Sequence, residues 1–362
     1  VYVFCRPPVS SGRDKNTFLR YVAVNMKINK TYKFKLLTKP SQEDLLISWM
    51  NTCRFLYNCA LEHRILHWNQ WKSNQNYYDQ ANQLKDIKKT EGFEWIKETP
   101  SQCLQQTLKD LDKSFKSFWK SGFGFPKWKK KSGNQSVRFP DPKKFSIRKV
   151  SKRKALVKLP KIGEVGFRLS QEIKGKIKNC TIKKNFDGMY ITFCVEQELD
   201  SNTNFNENSS PKTPIGIDRG ITESLVTSQG EIFELPKQCF KIRDRIKVLQ
   251  KRLRKQKKFS NNWKKSQEKI RKLHTKITKT RLDFLHKTSS ELVKNHDYIT
   301  LEDLKIKNMS KSAKGSIEKP GKNVNAKSGL NREILFQGWG IFATQLTYKT
   351  MWNHGHLELV NP

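Results

Sequence analysis

Apolar positions along this chain change their period several times, and each change marks a new element. Residues 1–25 hold Pro7-Pro8 and Ser10-Ser11-Gly12 and show no sustained period. From Met26 the pattern sharpens. Tyr32-Lys33-Phe34-Lys35-Leu36 alternates apolar with basic side chains, which predicts a strand with one face open to a partner. Ser41, with Asp44 three residues on, predicts a helix start, continued by Leu45, Leu46, Trp49, Met50, Phe55, Leu56 and Ala60. Two further helices are expected over 77–88 and 101–119. In the second, Leu104, Leu108, Leu111, Phe115 and Trp119 form a helical stripe, read as core.

The glycines from Gly122 to Gly133 end the helical pattern. Short strands are then expected over 136–139, 145–148, 155–159, 165–169, 177–183 and 189–197. Turn residues such as Lys161-Ile162-Gly163 and Asn185-Phe186-Asp187-Gly188 separate them. Strands at this spacing predict a small β-barrel or sandwich. Its recurring lysines suit a wall facing a phosphate backbone and suit a solvated face equally well.

Residues 200–212, with four Asn and three Ser, predict a linker and the main domain boundary. An α/β pattern follows, with strands expected over 214–218, 225–228 and 231–233. Over 237–287 there are 20 Lys/Arg against Asp244, Glu268 and Asp283. Ile242, Ile246, Leu249 and Leu253, then Ile270, Leu273 and Ile277, predict two amphipathic basic helices packed antiparallel, with a break near Ser260-Asn261-Asn262. A strand over 298–301, a mobile Gly/Lys/Ser-rich loop over 310–329, one helix over 332–353 and a strand over 357–360 complete the expectation.

Charge decides the class of partner. The 362 residues carry 72 Lys+Arg against 33 Asp+Glu, a net charge of +39, yet hold 21 Phe, 9 Trp and 9 Tyr. That aromatic content predicts folded cores rather than a disordered basic tail. Self-repulsion on this scale calls for a polyanion, with nucleic acid the expected one and an anionic membrane the alternative. No run approaches the ~18 apolar residues of a membrane span, and no cleavable leader is recognisable, so an intracellular protein is expected. The seven cysteines form no CxxC pair, which indicates neither a disulfide framework nor a zinc site.

Two acids stand where chemistry could occur. Asp218 closes Pro214-Ile215-Gly216-Ile217, and Glu302 closes Tyr298-Ile299-Thr300-Leu301. Strand-ending carboxylates on neighbouring strands can share Mg²⁺, which takes oxygen ligands from one or two carboxylates plus substrate phosphate. Two such ions can stabilise both oxygens of a phosphodiester displacement. Spacing alone favours the plainer reading, in which each acid simply ends a strand.

Gly216-Ile217-Asp218-Arg219-Gly220-Ile221 resembles the first motif of the RuvC-type nuclease domain in TnpB, the transposase OrfB family of insertion sequences. Ile299-Thr300-Leu301-Glu302-Asp303-Leu304 resembles its second. Arg54-Phe55-Leu56-Tyr57-Asn58, Phe125-Pro126-Lys127-Trp128-Lys129, Leu159-Pro160-Lys161-Ile162-Gly163 and Leu346-Thr347-Tyr348-Lys349 are similar to further family motifs in the same order. The resemblance implies an RNA-guided DNA endonuclease of α+β multidomain fold. A wedge-like β-barrel (26–40 and 126–200) carries a helical recognition insert (41–125), and an α/β RNase H-like (RuvC) domain occupies 213–362. It also implies that Asp218 and Glu302 are catalytic, metal-binding acids for Mg²⁺ or Mn²⁺. Tyr78, Gln105, Lys127 and Lys129 are implied nucleic-acid contacts, with guide RNA and target duplex bearing a short adjacent motif as partners. The family pattern runs on past Asn361-Pro362 into a zinc ribbon and a third acid. Zn²⁺ is therefore expected only in that segment, the nuclease domain is expected to be C-terminally incomplete with little activity as it stands, and 1–25 is expected to be an extension outside the family pattern. The alternative is a non-catalytic nucleic-acid-binding remnant.

Overall fold

The computed structural model describes residues 26–131, 133, 135–199 and 213–362; segment 1–25 and the expected linker lie outside the described residues. The fold is α+β and built around two sheets. Strand β1 (Met26–Leu37) leads into three helices, α1 (Pro40–Trp71), α2 (Tyr77–Ile87) and α3 (Ser101–Ser121). Six strands follow: β2 (Gln135–Phe139), β3 (Ser146–Ser151), β4 (Lys154–Leu159), β5 (Gly163–Arg168), β6 (Lys176–Asn185) and β7 (Gly188–Leu199). They form one sheet in the order β2-β6-β7-β1-β5-β4-β3. β1 is its hinge strand. Residues 26–35 pair antiparallel with β7, while Leu36 and Leu37 cross to β5.

That handover bends the sheet around an aromatic interior. Phe34, Phe167 and Phe193 lie 5.3–6.1 Å apart, ring centre to ring centre, in tilted pairs, a spacing and orientation that aromatic rings favour. Lys33 and Lys35 alternate with the buried positions of β1, as the period-2 pattern requires. Trp49 of α1 meets Phe139 of β2 edge-on at 6.3 Å, so helices and sheet share one core. A buried polar knot ties the three helices together. Arg64 of α1 donates to Gln80 of α2 at 2.9 Å and to Asp112 of α3 at 3.3–3.4 Å, so its charge is paired as burial demands.

The second sheet follows the order β10-β9-β8-β11-β12, from β8 (Ile215–Asp218), β9 (Leu225–Thr227), β10 (Ile232–Phe233), β11 (Tyr298–Glu302) and β12 (His356–Val360). The first three strands run antiparallel to one another, whereas β8, β11 and β12 are parallel. Parallel neighbours need crossovers. Helices α4 (Lys237–Arg254) and α5 (Asn261–Asn295) lie between β10 and β11, and α6 (Ile306–Met309), α7 (Val324–Gln337) and α8 (Trp339–Trp352) between β11 and β12. Leu285, Leu292 and Val293 of α5 and Phe342 and Leu346 of α8 cover the apolar face of the sheet.

Three expectations need correction. Helix α1 begins at Pro40, with Gln42 accepting from the Lys39 N–H at 3.2 Å, so Ser41 lies inside the first turn. Proline at the first helical position, with its preset φ, fixes that start. The helix expected over 332–353 is two helices, divided at Gly338 (φ 79°), where a Cβ would come within 3.1 Å of Leu285. The loop expected to reach residue 329 ends earlier, because α7 starts at Val324.

Candidate metal and nucleic-acid site

Register brings the two acids together. In the parallel pair β8–β11, Ile299 lies opposite Ile215, Thr300 opposite Gly216 and Leu301 opposite Ile217, so the next rung holds Asp218 and Glu302. Adjacent strands lie about 4.8 Å apart. Ile215, Ile217, Ile299 and Leu301 are buried against α5 and α8. Strand alternation therefore points both carboxylates to the opposite face, at the carboxyl end of the sheet. Asp218 is exposed and Glu302 half-buried. Among the described residues, no hydrogen bond or ion pair engages either carboxylate.

A cation lies beneath them. Arg219, only 5% exposed, donates from Nη2 to the main-chain carbonyl of Glu302, and its Nε is buried without a partner. Burial lowers the guanidinium pKa, and the nearby charges of Glu302, Asp303 and Asp218 oppose that shift. Because the bond goes to a carbonyl, the carboxylate oxygens keep their lone pairs. Glycine is required next to it: a Cβ on Gly220 would stand 2.4 Å from the Glu223 carbonyl oxygen. Gln337 of α7 donates to the Ile221 carbonyl at 2.7 Å and steadies the same turn. On the far side, Asp303 donates its N–H to the Val360 carbonyl at 2.7 Å.

Two unengaged carboxylates form a hard-oxygen donor set that suits Mg²⁺ or Mn²⁺, with water and phosphate filling the remaining positions. Among the described residues, no group of three or more His, Cys, Asp or Glu side chains is placed to hold a metal. Cys53, Cys103, Cys180 and Cys239 are buried, and burial raises their thiol pKa.

The four implied nucleic-acid residues all belong to the other lobe, two on its helices and two in the stretch that follows α3. Tyr78 is 74% exposed in the first turn of α2, and Gln105 is exposed on α3, which packs against α2. Lys127 is also exposed. Lys129 is held differently. Its N–H donates to Asn58 at 2.9 Å, its carbonyl accepts from Asn58 at 3.1 Å, and its ammonium sits 3.8 Å over the Tyr57 ring. Burial there lowers its pKa, against the pull of Asp110. The basic helices α4 and α5 pack through Ile242, Ile246, Ile270 and Ile277 and turn their lysines outward. Lys279 of α5 pairs with Asp187 of the β6–β7 turn, and Lys30 stands 5.0 Å over the Trp352 ring; both contacts join the two lobes.

Arg219 was not among the residues singled out from sequence. Its signal was present, since an arginine directly after a strand-ending acid in an apolar run has few places to go but beneath that acid.

These features define an α+β, strongly basic protein with a two-carboxylate edge on a mixed sheet. Residues 192–313, which include both acids, match the OrfB_IS605 family, described as "Probable transposase", and residues 26–73 match its "Helix-turn-helix domain". In this structure the latter stretch is one strand and one long helix. Two curated relatives are named "Putative RNA-guided DNA endonuclease". InsQ of Escherichia coli (strain K12) is 36% identical over 341 residues, 93% of this chain and 81% of that protein. The other, from Streptomyces pristinaespiralis, is 25% identical over 92% of this chain and 78% of its own length. The chain belongs to the OrfB family of insertion-sequence transposases, the TnpB type. Among solved structures, a chain of a Cas12f1–sgRNA–target DNA complex is similar with a TM-score of 0.49 at 10% identity, over 93% of this chain and 90% of that one. No helix among the described residues is long and apolar enough to cross a membrane.

Proposed function

We propose that this chain is an RNA-guided DNA endonuclease of the TnpB type. In this reading the five-stranded sheet is an RNase H-like (RuvC) core, and the bent seven-stranded sheet with its helices is the wedge-like barrel and recognition insert. The observation that carries it is the shared rung of Asp218 and Glu302 on parallel strands. The names of the two relatives support it.

Asp218 and Glu302 would supply the hard oxygens and negative charge for Mg²⁺ or Mn²⁺. A bound ion of that kind activates water and stabilises the leaving oxygen of a phosphodiester. Arg219 holds the end of β11 in place and offsets carboxylate repulsion before any cation arrives. The 20 Lys/Arg of 237–287 neutralise phosphates. Base pairing to a guide RNA from the transposon end would read the target, while exposed Tyr78, Gln105 and Lys127 contact the short adjacent duplex motif.

The test is cleavage of guide-matched DNA by the protein–RNA complex in Mg²⁺. Losing a partner behind a metal ligand costs about 10–100-fold, so Asp218→Ala and Glu302→Ala, which remove the ligands themselves, should each cost more than about 100-fold. RNA affinity should not change. Cutting by Asp218→Ala at the wild-type rate would remove the site assignment. A second reading, nucleic-acid binding without cutting, is favoured by one observation: among the described residues no third ligand joins the pair. Tight guide-RNA binding by wild type with no detectable cutting would select it.

A further inference from the structure

Far from the acid pair, a cavity of about 50 Å³ lies between α1, α3 and β2. Its charge is unbalanced. Arg54, Arg138, Lys129 and Lys130 line it, with Asp110 as the one acid among the described residues. Asp110 accepts from Gln106 at 2.7 Å, and its charge acts on Lys129. Neither guanidinium has an ion-pair partner among the described residues. Among those residues Arg54 donates to Asn51 alone, at 3.5 Å, and the Nε atoms of Arg54 and Arg138 are both buried without a hydrogen-bond partner.

Water can satisfy a donor N–H, but it does not neutralise charge. Four basic side chains gathered around a single acid leave net positive charge at the cavity, which an entering anion would balance. Arginine forks present paired donors to a tetrahedral anion's oxygens. Lys130 and Ser136, which line the cavity, are exposed, so the cavity lies within reach of a strand of nucleic acid on the surface. We infer that Arg54 and Arg138 form a seat for one backbone phosphodiester, a sequence-independent anchor that sets how nucleic acid lies across the helical lobe. The inference rests on the nucleic-acid-binding part of the proposed function and is independent of cleavage.

Salt dependence tests it, because each phosphate neutralised contributes about 0.9 to the log–log slope on duplex DNA and about 0.7 on single strands. The probes are a random-sequence DNA duplex and a single-stranded RNA, titrated between about 50 and 200 mM salt. Arg54→Gln/Arg138→Gln should weaken binding and reduce the slope by about one on whichever probe supplies the phosphate. Arg54→Lys/Arg138→Lys, which keeps the charge, should restore most of the slope. Without nucleic acid the Gln pair should melt no lower than wild type, since neither arginine has an ion-pair partner to lose among the described residues. Unchanged slopes on both probes would overturn the inference, and so would a lower melting temperature in the Gln pair, which would make the arginines structural. Asp218→Ala separates the two readings. It should keep the wild-type slope, and if it still cut, the nuclease assignment would fail while the phosphate seat stood.

Discussion

The two lobes spend their side chains differently. The seven-stranded sheet and its helices share one large core, in which Phe34, Phe139, Phe167, Phe193 and Trp49 are essentially fully buried. A deeply buried ion pair, Arg64 with Asp112, ties its helices together. The five-stranded sheet has a much smaller core on one face and leaves the other to charge: two unengaged acids with an arginine beneath them. A well-filled aromatic interior makes a rigid platform on which exposed residues can be placed. A thin sheet covered on one side keeps a polar edge open to a cation and a phosphate. The first lobe should therefore fail by losing stability, and the second by losing chemistry.

The largest stability effect should come from the aromatic lobe. Phe167→Ala removes a ring that touches both Phe34 and Phe193 and should cost about 3–5 kcal/mol in denaturant unfolding. Asp218→Ala should move the same curve by less than about 1 kcal/mol. Equal losses would erase the contrast between lobes.

Arg219→Gln sharpens the contrast from the other side. It should lower cleavage about 10–100-fold and raise the Mg²⁺ concentration needed, as for groups that orient metal ligands. A loss that is the same at every Mg²⁺ concentration would assign Arg219 to folding alone.

The smallest expected effect concerns Lys349 of α8, nearly buried and donating to the His286 carbonyl and to Ser289 and Ser290 at 2.7–2.8 Å. Burial lowers its pKa to about 8. At pH 7 both folded and unfolded states carry the proton, and the folded state bears the cost of a buried charge. Above pH 8 the folded state loses the proton while the unfolded state keeps it up to its ordinary value near 10.4, so stability contributed by this group rises with pH. Against Lys349→Met, wild type should gain about 1–3 kcal/mol across that window. A flat difference would show that the ammonium stays charged in the folded protein.

Much of this contrast was legible from period alone. Alternation marked residues 32–36 within β1, and composition with turn residues placed β2 to β7 to within a few residues; in all of these but β3 one face holds buried positions, so a register slip would expose them. The acids were legible as strand ends, and the family resemblance implied that they converge on one sheet edge; the particular rung was not legible, since pairing between strands whose acids are 84 residues apart leaves no local trace. Residues where packing overrides pattern were missed. α1 runs on to Trp71 through exposed Leu66, Trp68 and Trp71, which blur its apolar stripe. Gly338 divides α7 from α8 only because α5 lies against it. Arg54 and Arg138 line one cavity that no local window contains.

The proposed nuclease depends most on one ion held by both acids. Mn²⁺ titration of the protein–RNA complex, read by electron paramagnetic resonance on wild type, Asp218→Ala, Glu302→Ala and the double variant, measures that directly. If the carboxylates share an ion, each single variant loses most of the tight binding and the double variant loses little more, a coupling that residues acting independently do not show. Additive losses, or tight binding unchanged in either single variant, would contradict the shared site.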